Sequence, residues 1–528
     1  MTYSYSLVDE PWISCVHPDG SVGELGLRQT LLRAHELRGV QGDSPLETAA
    51  LYRLLLAVLH SALRGPRVWE AWGELWDGGR WLPEVVNGYL DQWRDRFDLF
   101  HPQRPFYQAS DDRVRPKSIA SLALDMVSGN NAVLFDHHTE EAGVTLTPAK
   151  AARTVVVAQT FGLSGLSGIP GQGFTDGPWA RGIVFLVESD DLFRVLMLNL
   201  MKYPDEKLNN MRSKDDRPAW EQDDPYRSNR QIPLGYLDYL TWQNRRVLLI
   251  PEGDEKSPTV SAMSVAPGLR LNASVFDSFK LYRKGHGKGN EEIWLITRFS
   301  EDRALWRDSG SLFGLKSEHG RPPQTFHALA NLVSEGWIPH KQKFRFMALG
   351  MANDQAKVEF FQENHLPLPL EYLEDENLVV KLSNAIQKAE QTHFALKIAA
   401  QWLAALVLSP NVDGKKWQEI GHITREQAGS LMMHWNVDRI YWQRLELPFM
   451  QLLEDLPHDP KAMDSWNETL RQAAWEALEQ AANAAGDDPA ALKAAVRARG
   501  MLGYSLNEVF PKPDHAQNSN GIKKEVPA

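Results

Sequence analysis

From Phe161 to Pro178 the chain reads Phe-Gly-Leu-Ser-Gly-Leu-Ser-Gly-Ile-Pro-Gly-Gln-Gly-Phe-Thr-Asp-Gly-Pro, and serines set among glycines invite comparison with catalytic and phosphate-binding loops. Each comparison fails at a particular residue. A nucleophile elbow needs Gly-x-Ser-x-Gly, but Gly162-Leu-Ser-Gly-Leu166 ends in leucine. A P-loop ends in Gly-Lys-Ser/Thr, which is missing here, and Gly171-Gln-Gly-Phe-Thr-Asp176 lacks the third glycine of a dinucleotide fingerprint. His137-His138 with Glu140 and Glu141 offers metal-ligand types. Adjacent histidines on a loop point apart, however, and no second cluster with ligand spacing accompanies them, so a solvated polar loop is the plainer reading. The single Cys15 excludes an internal disulfide and a multi-cysteine zinc site.

Binding chemistry remains. Ser278–Asn290 carries Lys280, Arg283, Lys284 and Lys288 with no acid among them, which fits either a phosphate-binding patch or a solvated hairpin. In His340–Phe346 the alternation puts Lys341, Lys343 and Arg345 on one face of a strand. That strand leads to an expected hairpin tip, Gly350–Gln355, presenting Asn353, Asp354 and Gln355. The six glycines between Phe161 and Pro178 exclude a helix or strand interior. Interleaved Leu163, Leu166, Ile169 and Phe174 make the stretch too apolar for a flexible linker. A rigid Ω-loop is expected, packed by Leu163, Leu166 and Ile169 and showing bare backbone.

The elements around these residues give an α+β chain. Leu7–Val16 and the turn Pro18-Asp-Gly20 suggest a strand entering a hairpin. Glu47–Leu63 has the periodicity of a helix with a broad buried face, and helices are also expected at Val68–Trp76, Glu84–Phe97 and Asp191–Met201. Val155–Ala158 is a short apolar segment, Ser128–Glu141 is a polar loop with Phe135 as its large aromatic, and Lys202–Asn229 is polar enough to be an exposed loop. Strands are expected at Gly182–Glu188, Val247–Ile250, Gly268–Leu271 and Ile293–Ile296. After Leu366-Pro-Leu-Pro369 come four long amphipathic segments, Asp375–Leu408, Arg425–Leu456, Lys461–Ala485 and Pro489–Val509. The expected division is a large mixed domain with β-hairpins and helices over 1–366, a C-terminal antiparallel four-helix bundle over 367–510, and a disordered tail over 511–528.

With 528 residues and 43% hydrophobic content the chain can build a large core. No apolar run reaches membrane-spanning length and the first residues lack a signal-peptide pattern, so a cytoplasmic protein is expected. The formal charge of −11 argues against a general nucleic-acid coat and leaves room for a few placed cations.

Together the opening Leu7–Ile13, the turn His101–Gln108, Ser128–Phe135, Phe161–Gly173, Ala304–Phe313 and the C-terminal helices resemble, in order and over nearly the whole chain, the large subunit of the type I-E CRISPR surveillance complex, Cascade. The resemblance implies a non-catalytic subunit without metal or cofactor. Its partners would be a guide-RNA (crRNA) ribonucleoprotein with the other Cascade subunits, double-stranded target DNA, and the type I helicase-nuclease that it recruits. Such a subunit inspects DNA for the protospacer-adjacent motif (PAM) from the minor groove and promotes duplex opening and R-loop formation. By position, the glycine loop would be Gly165, Ser167 and Gly168, and the wedge Gln355 with Asn353 beside it. The basic finger would be Lys280, Lys284 or Arg270, and the loop meeting the guide complex would contain Asn131 and Phe135. A DNA-binding module of another system and a metal-dependent hydrolase using His137 and His138 are the competing readings.

Overall fold

Ser44 and Pro45 open the central helix of the N-terminal region: the Ser44 side chain accepts a hydrogen bond from the Glu47 amide, Pro45 occupies the first turn, and the helix runs Pro45–Leu63. These 19 residues are long and apolar enough to cross a membrane, but the helix is almost wholly buried inside the protein. Here it is a core helix. Against it packs Pro148–Phe161, capped by the Thr147 side chain. The sequence suggested only the short apolar segment 155–158 there. From Ala151 onward every residue is buried, Arg153 and Gln159 included, so no polar face produces an amphipathic period.

The computed structural model describes residues 3–124, 143–203, 215–227, 230–287, 289–301, 303–318, 320–354, 357–414 and 416–511. The chain forms two units, Met1–Ser300 with Ser311–Glu374, and Glu301–Gly310 with Asp375–Ala528.

In the first unit, Val184–Glu188 is the edge of an antiparallel sheet whose middle strand is Phe344–Asp354 and whose other edge is Lys357–Leu368. Phe344 and Phe346 are buried and Lys341, Lys343 and Arg345 exposed, but the strand begins at Phe344, so of the three cations expected on one strand face only Arg345 lies in the strand. The last strand continues to Leu368, across the 366/367 boundary. A long hairpin, Arg245–Asp254 with Ser257–Pro267, takes Lys117–Ser118 as a third strand. Gly268–Leu271 is not a strand: its backbone folds onto the residues that precede the hairpin, with the Gly268 amide donating to the Asn244 carbonyl oxygen at 3.0 Å and the Leu269 amide to that of Gln243 at 2.9 Å. A Cβ on Gly268 would lie 2.5 Å from the Gln243 carbonyl oxygen. Tyr282–His286 pairs with Glu292–Ile296 in a shorter hairpin. Within the polar stretch 202–229, Trp220 and Tyr226 are buried, with Trp220 5.1 Å from the Phe97 ring. A few aromatics thus fix the described part, 215–227, against expectation.

Among the described residues the second unit contains five long α-helices: Glu376–Leu408, His422–His434, Val437–Asp455, Ala462–Ala484 and Pro489–Val509. The first packs on each of the other four. The segment expected as one helix over 425–456 is two, interrupted at Asn436, which adopts the left-handed conformation with φ 54°. Asn tolerates that region better than most residues. Glu301–Gly310 joins this unit through Trp306, whose ring stacks 4.3 Å from that of Phe449.

Candidate nucleic-acid interface

The glycine stretch leaves the end of helix Pro148–Phe161 and folds into a small hairpin in which Gly165–Leu166 pairs with Gly173–Phe174. Its stem is fixed by close backbone packing. The Gly177 amide donates to the Gly162 carbonyl oxygen at 2.7 Å, and the Trp179 amide to Thr160 at 2.9 Å. A Cβ on Gly162 would come within 2.5 Å of the Ala158 carbonyl oxygen, and one on Gly177 within 2.6 Å of that of Thr160. Both positions must be glycine for the fold alone.

Arg245, only 5% exposed, clamps the stem from below. Its guanidinium donates to the Leu163 carbonyl oxygen at 2.6 Å and to that of Thr175 at 2.8 Å, one on each arm of the loop. It also lies 4.6 Å from the Phe174 ring centre. The Arg245 backbone is fixed in turn by the Gln159 side-chain amide, which accepts from its N–H at 3.0 Å and donates to its carbonyl at 2.8 Å. Burial pushes the Arg245 pKa down to about 10, which leaves it charged at neutral pH. Asp176 adds a second tie, accepting from the Ser164 amide at 2.8 Å and from Arg181 Nε at 2.9 Å.

Beyond this stem the hairpin projects with much of its surface exposed, tied at Gln172 to Arg113. Leu163 is buried and Ile169 half-buried, but Leu166 is 97% exposed. The expected three-residue apolar staple is therefore corrected: polar ties to carbonyls and Asp176 hold the stem, so Leu166 is not needed there. Ser167 Oγ donates to the Gln172 carbonyl oxygen at 2.6 Å and accepts from the Ile169 amide at 3.1 Å, closing the turn. Gly168 has φ +79°, a conformation that favours glycine. Gly165 is different. Its φ is not positive, and a Cβ built there meets nothing within 4 Å.

Lys280, one of the expected DNA contacts, is corrected. It is 3% exposed, and its ammonium donates to the carbonyl oxygens of Pro178 and Arg181, both at 2.7 Å. Burial pushes its pKa down to about 8. It fastens the exit of the glycine loop and offers no surface to a phosphate. Next to it Asp277 accepts from Trp179 Nε1 at 2.6 Å and from the Tyr239 hydroxyl. The Arg53 guanidinium sits 4.7 Å from both of those rings. Lys284 and Arg270 are exposed. Lys284 has Glu292 3.7 Å away on the facing strand, an acid that a reading of Ser278–Asn290 alone misses.

Strand Val184–Glu188 gathers these parts. It begins at the loop exit, past Gly182 (φ +88°), where a Cβ would fall 2.1 Å from Ile296 Cγ2. The Phe185 amide donates to Phe279, the Ile183 amide to Thr297, and the strand pairs with Phe344–Asp354. Asn353 lies near the end of that middle strand, opposite Val358 and partly exposed. Gly350, expected in the tip, is mid-strand opposite Gln362. Gln355 lies outside the described residues, as do Asn131, Phe135, His137, His138 and Lys288. Among the described residues no group of three or more His, Cys, Asp or Glu is placed to hold a metal ion.

Sequence reasoning passed over Arg245 and the segment Arg113-Val-Arg-Pro-Lys117. The second had a readable signal, three cations at alternate positions. Arg113 Nη1 donates to Gln172 Oε1 in the glycine hairpin at 3.2 Å.

Known proteins match this chain along nearly its whole length. The family model described as CRISPR-associated protein Cse1 matches residues 6–477. A CasA/Cse1 protein of Thermus thermophilus is 34% identical over 518 residues, spanning 96% of this chain and 98% of its own length. The crystal structure of a Thermus thermophilus CasA superposes with a TM-score of 0.79 at 31% identity, covering 96% of this chain and 99% of the other. A chain of a CRISPR RNA-guided surveillance complex shares the fold, with a TM-score of 0.75 at 23% identity over 95% of this chain and 100% of the other. A glycine hairpin with a clamped stem and a bare tip is thus carried on a fold and sequence matched along nearly their whole length, and the chain belongs to the Cse1 (CasA) family of CRISPR-associated proteins.

Proposed function

We propose that this chain is the non-catalytic large subunit of a type I-E CRISPR surveillance complex, assembled with a guide-RNA ribonucleoprotein. It inspects double-stranded DNA for the PAM from the minor groove, promotes duplex opening and R-loop formation, and recruits the helicase-nuclease. In this division of labour base pairing with the guide reads the target and protein reads the short flanking motif.

The observation that carries the proposal is Gly165. The stem glycines are demanded by packing and Gly168 by its backbone angle, but nothing in the fold requires glycine at 165. The minor groove is about 6 Å wide and presents a degenerate pattern of acceptors, so bare main chain can approach base edges where a side chain would collide. Gly165, Ser167 and Gly168 are the proposed contact. Gln355, two residues along the chain from Asn353, is the proposed wedge. Inserting it costs a few kcal/mol of unstacking, offset by contacts to the opened strands, which exposed Lys341, Lys343 and Arg345 are suited to make. With Lys280 buried, the basic-finger role passes to Lys284 or Arg270. Asn131 and Phe135 keep the proposed role of meeting the guide complex.

The test is reconstitution with guide RNA and the neighbouring subunits, followed by duplex binding with the flanking motif varied. We expect motif-dependent duplex binding with no cleavage by the chain itself. Motif-independent binding would contradict the proposal, and metal-dependent cleavage abolished by His137→Ala would replace it with the hydrolase reading.

A further inference from the structure

We propose that Arg113, Arg115 and Lys117 form a phosphate ledge alongside the glycine hairpin, gripping the sugar-phosphate backbone of duplex DNA that borders the groove the hairpin enters. The inference rests on the minor-groove reading above and adds to it a surface and a ligand chemistry.

Three features support it. The ledge is tied to the hairpin in a fixed relation, because Arg113 Nη1 donates to Gln172 Oε1 at 3.2 Å. At its other end Lys117–Ser118 is a short strand paired with Ser257–Pro267 in the register Lys117↔Met263. The charges also face outward. Asp111 is paired with Arg113 through contacts of 2.8 and 2.6 Å, and its side chain is 7% exposed against 49% for Arg113, so the acid lies underneath and the cation on top. Arg113 holds the Asp111 carboxyl down at about 2, which keeps this pair ionised. Lastly, Arg115 and Lys117 are exposed and have no acidic partner among the described residues, with Asp112 the exposed carboxylate of the segment. Partial burial, then the charge of nearby Arg245, lowers the Lys117 pKa. With Arg113 paired to Asp111, the cations left over are Arg115 and Lys117, and on a chain of net charge −11 they make a local site that suits an anion.

The geometry suits a duplex backbone. The segment is short: Arg113 lies in a turn closed by the Val114 amide donating to the Asp111 carbonyl oxygen at 3.3 Å, Pro116 favours an extended Arg115, and Lys117 opens the strand, so three exposed cations fall within five residues. A groove entered by the hairpin is bordered by two phosphate strands, and cations grouped beside the hairpin, with Arg113 bonded to its Gln172, are suited to meet one of them. Such contacts position the duplex without reading its sequence.

The test uses the reconstituted complex with the double variant Arg115→Gln/Lys117→Gln, both at exposed positions, and Arg113→Gln as a separate variant because that residue also ties the loop. Duplex affinity is measured against salt on several flanking motifs. We expect the double variant to weaken binding by a similar factor on every motif, and to reduce the slope of log K against log salt by about 0.9 for each lost phosphate contact. Melting temperature, guide-RNA assembly and single-stranded target binding should not change. An unchanged slope and affinity would overturn the ledge, as would loss on one motif alone, equal loss with single-stranded target, or loss of guide-RNA assembly. If the wild-type complex shows no motif-dependent duplex binding, the functional reading fails and the ledge with it. If the wild type shows it and the double variant keeps the wild-type slope, the ledge alone fails.

Discussion

Arg245 shows how much of the site depends on a residue that would never touch a ligand. One buried guanidinium donates to carbonyls on both arms of the glycine loop. Lysine can donate but has no planar fork to span two acceptors. We therefore expect Arg245→Lys to retain most of the stability while weakening motif-dependent duplex binding more than single-stranded binding. Arg245→Ala should lose about 3 kcal/mol in denaturant unfolding, because hydrogen bonds from a charged group are removed and buried carbonyls are left unmet. An Ala variant as stable as wild type would remove Arg245 from this role. At the same scale the sequence was legible in residue type and blind to burial. Lys280 and Lys284 stand in one basic run, yet the first is a buried tie and the second a surface charge. Leu163 and Leu166 stand in one apolar rhythm, yet only the first is a staple.

Among the elements, the sheet formed by Val184–Glu188, Phe344–Asp354 and Lys357–Leu368 carries the proposed wedge, and its anchoring depends on pH. His365 lies between Glu188, 2.8 Å away, and Glu363, 3.0 Å away. Hydrogen bonds to Glu188 and then Glu363 raise its pKa to about 9. A histidine raised above its unfolded value of about 6.5 contributes stability that is fully present below pH 6.5 and is lost as pH rises through 9. Partial exposure keeps the effect modest. Melting temperatures between pH 6 and 9.5 should therefore fall more steeply for the wild type than for His365→Gln; parallel profiles would contradict this. Elements with an exposed polar face were legible, as the Phe344/Arg345/Phe346 alternation and the final helix show. Those buried all round were not: Pro148–Phe161 lost its periodicity to burial. The break at Asn436 depends on one left-handed residue in an otherwise helical pattern.

For the molecule as a whole, the α+β class and the helical C-terminal region could be read from composition and periodicity. The inclusion of Glu301–Gly310 in the second unit could not, since it rests on contacts made far along the chain, Trp306 on Phe449 and Arg303 and Arg307 on Glu390. The family could be read because short segments kept their order. The net charge of −11 fits selective rather than general DNA binding, with a few cations acting locally against an acidic background. The central claim is that bare backbone on the hairpin, from the paired arm at Gly165 to the turn at Gly168, is kept for a ligand and not for the fold. Gly168 is a poor probe because its positive φ would strain any side chain. Gly165 is a clean one. In the reconstituted complex, Gly165→Val should leave melting temperature, guide-RNA assembly and single-stranded target binding at wild-type values while weakening motif-dependent duplex binding at least tenfold, about 1.4 kcal/mol. A folded Gly165→Val complex that binds the duplex as tightly as wild type would contradict the account.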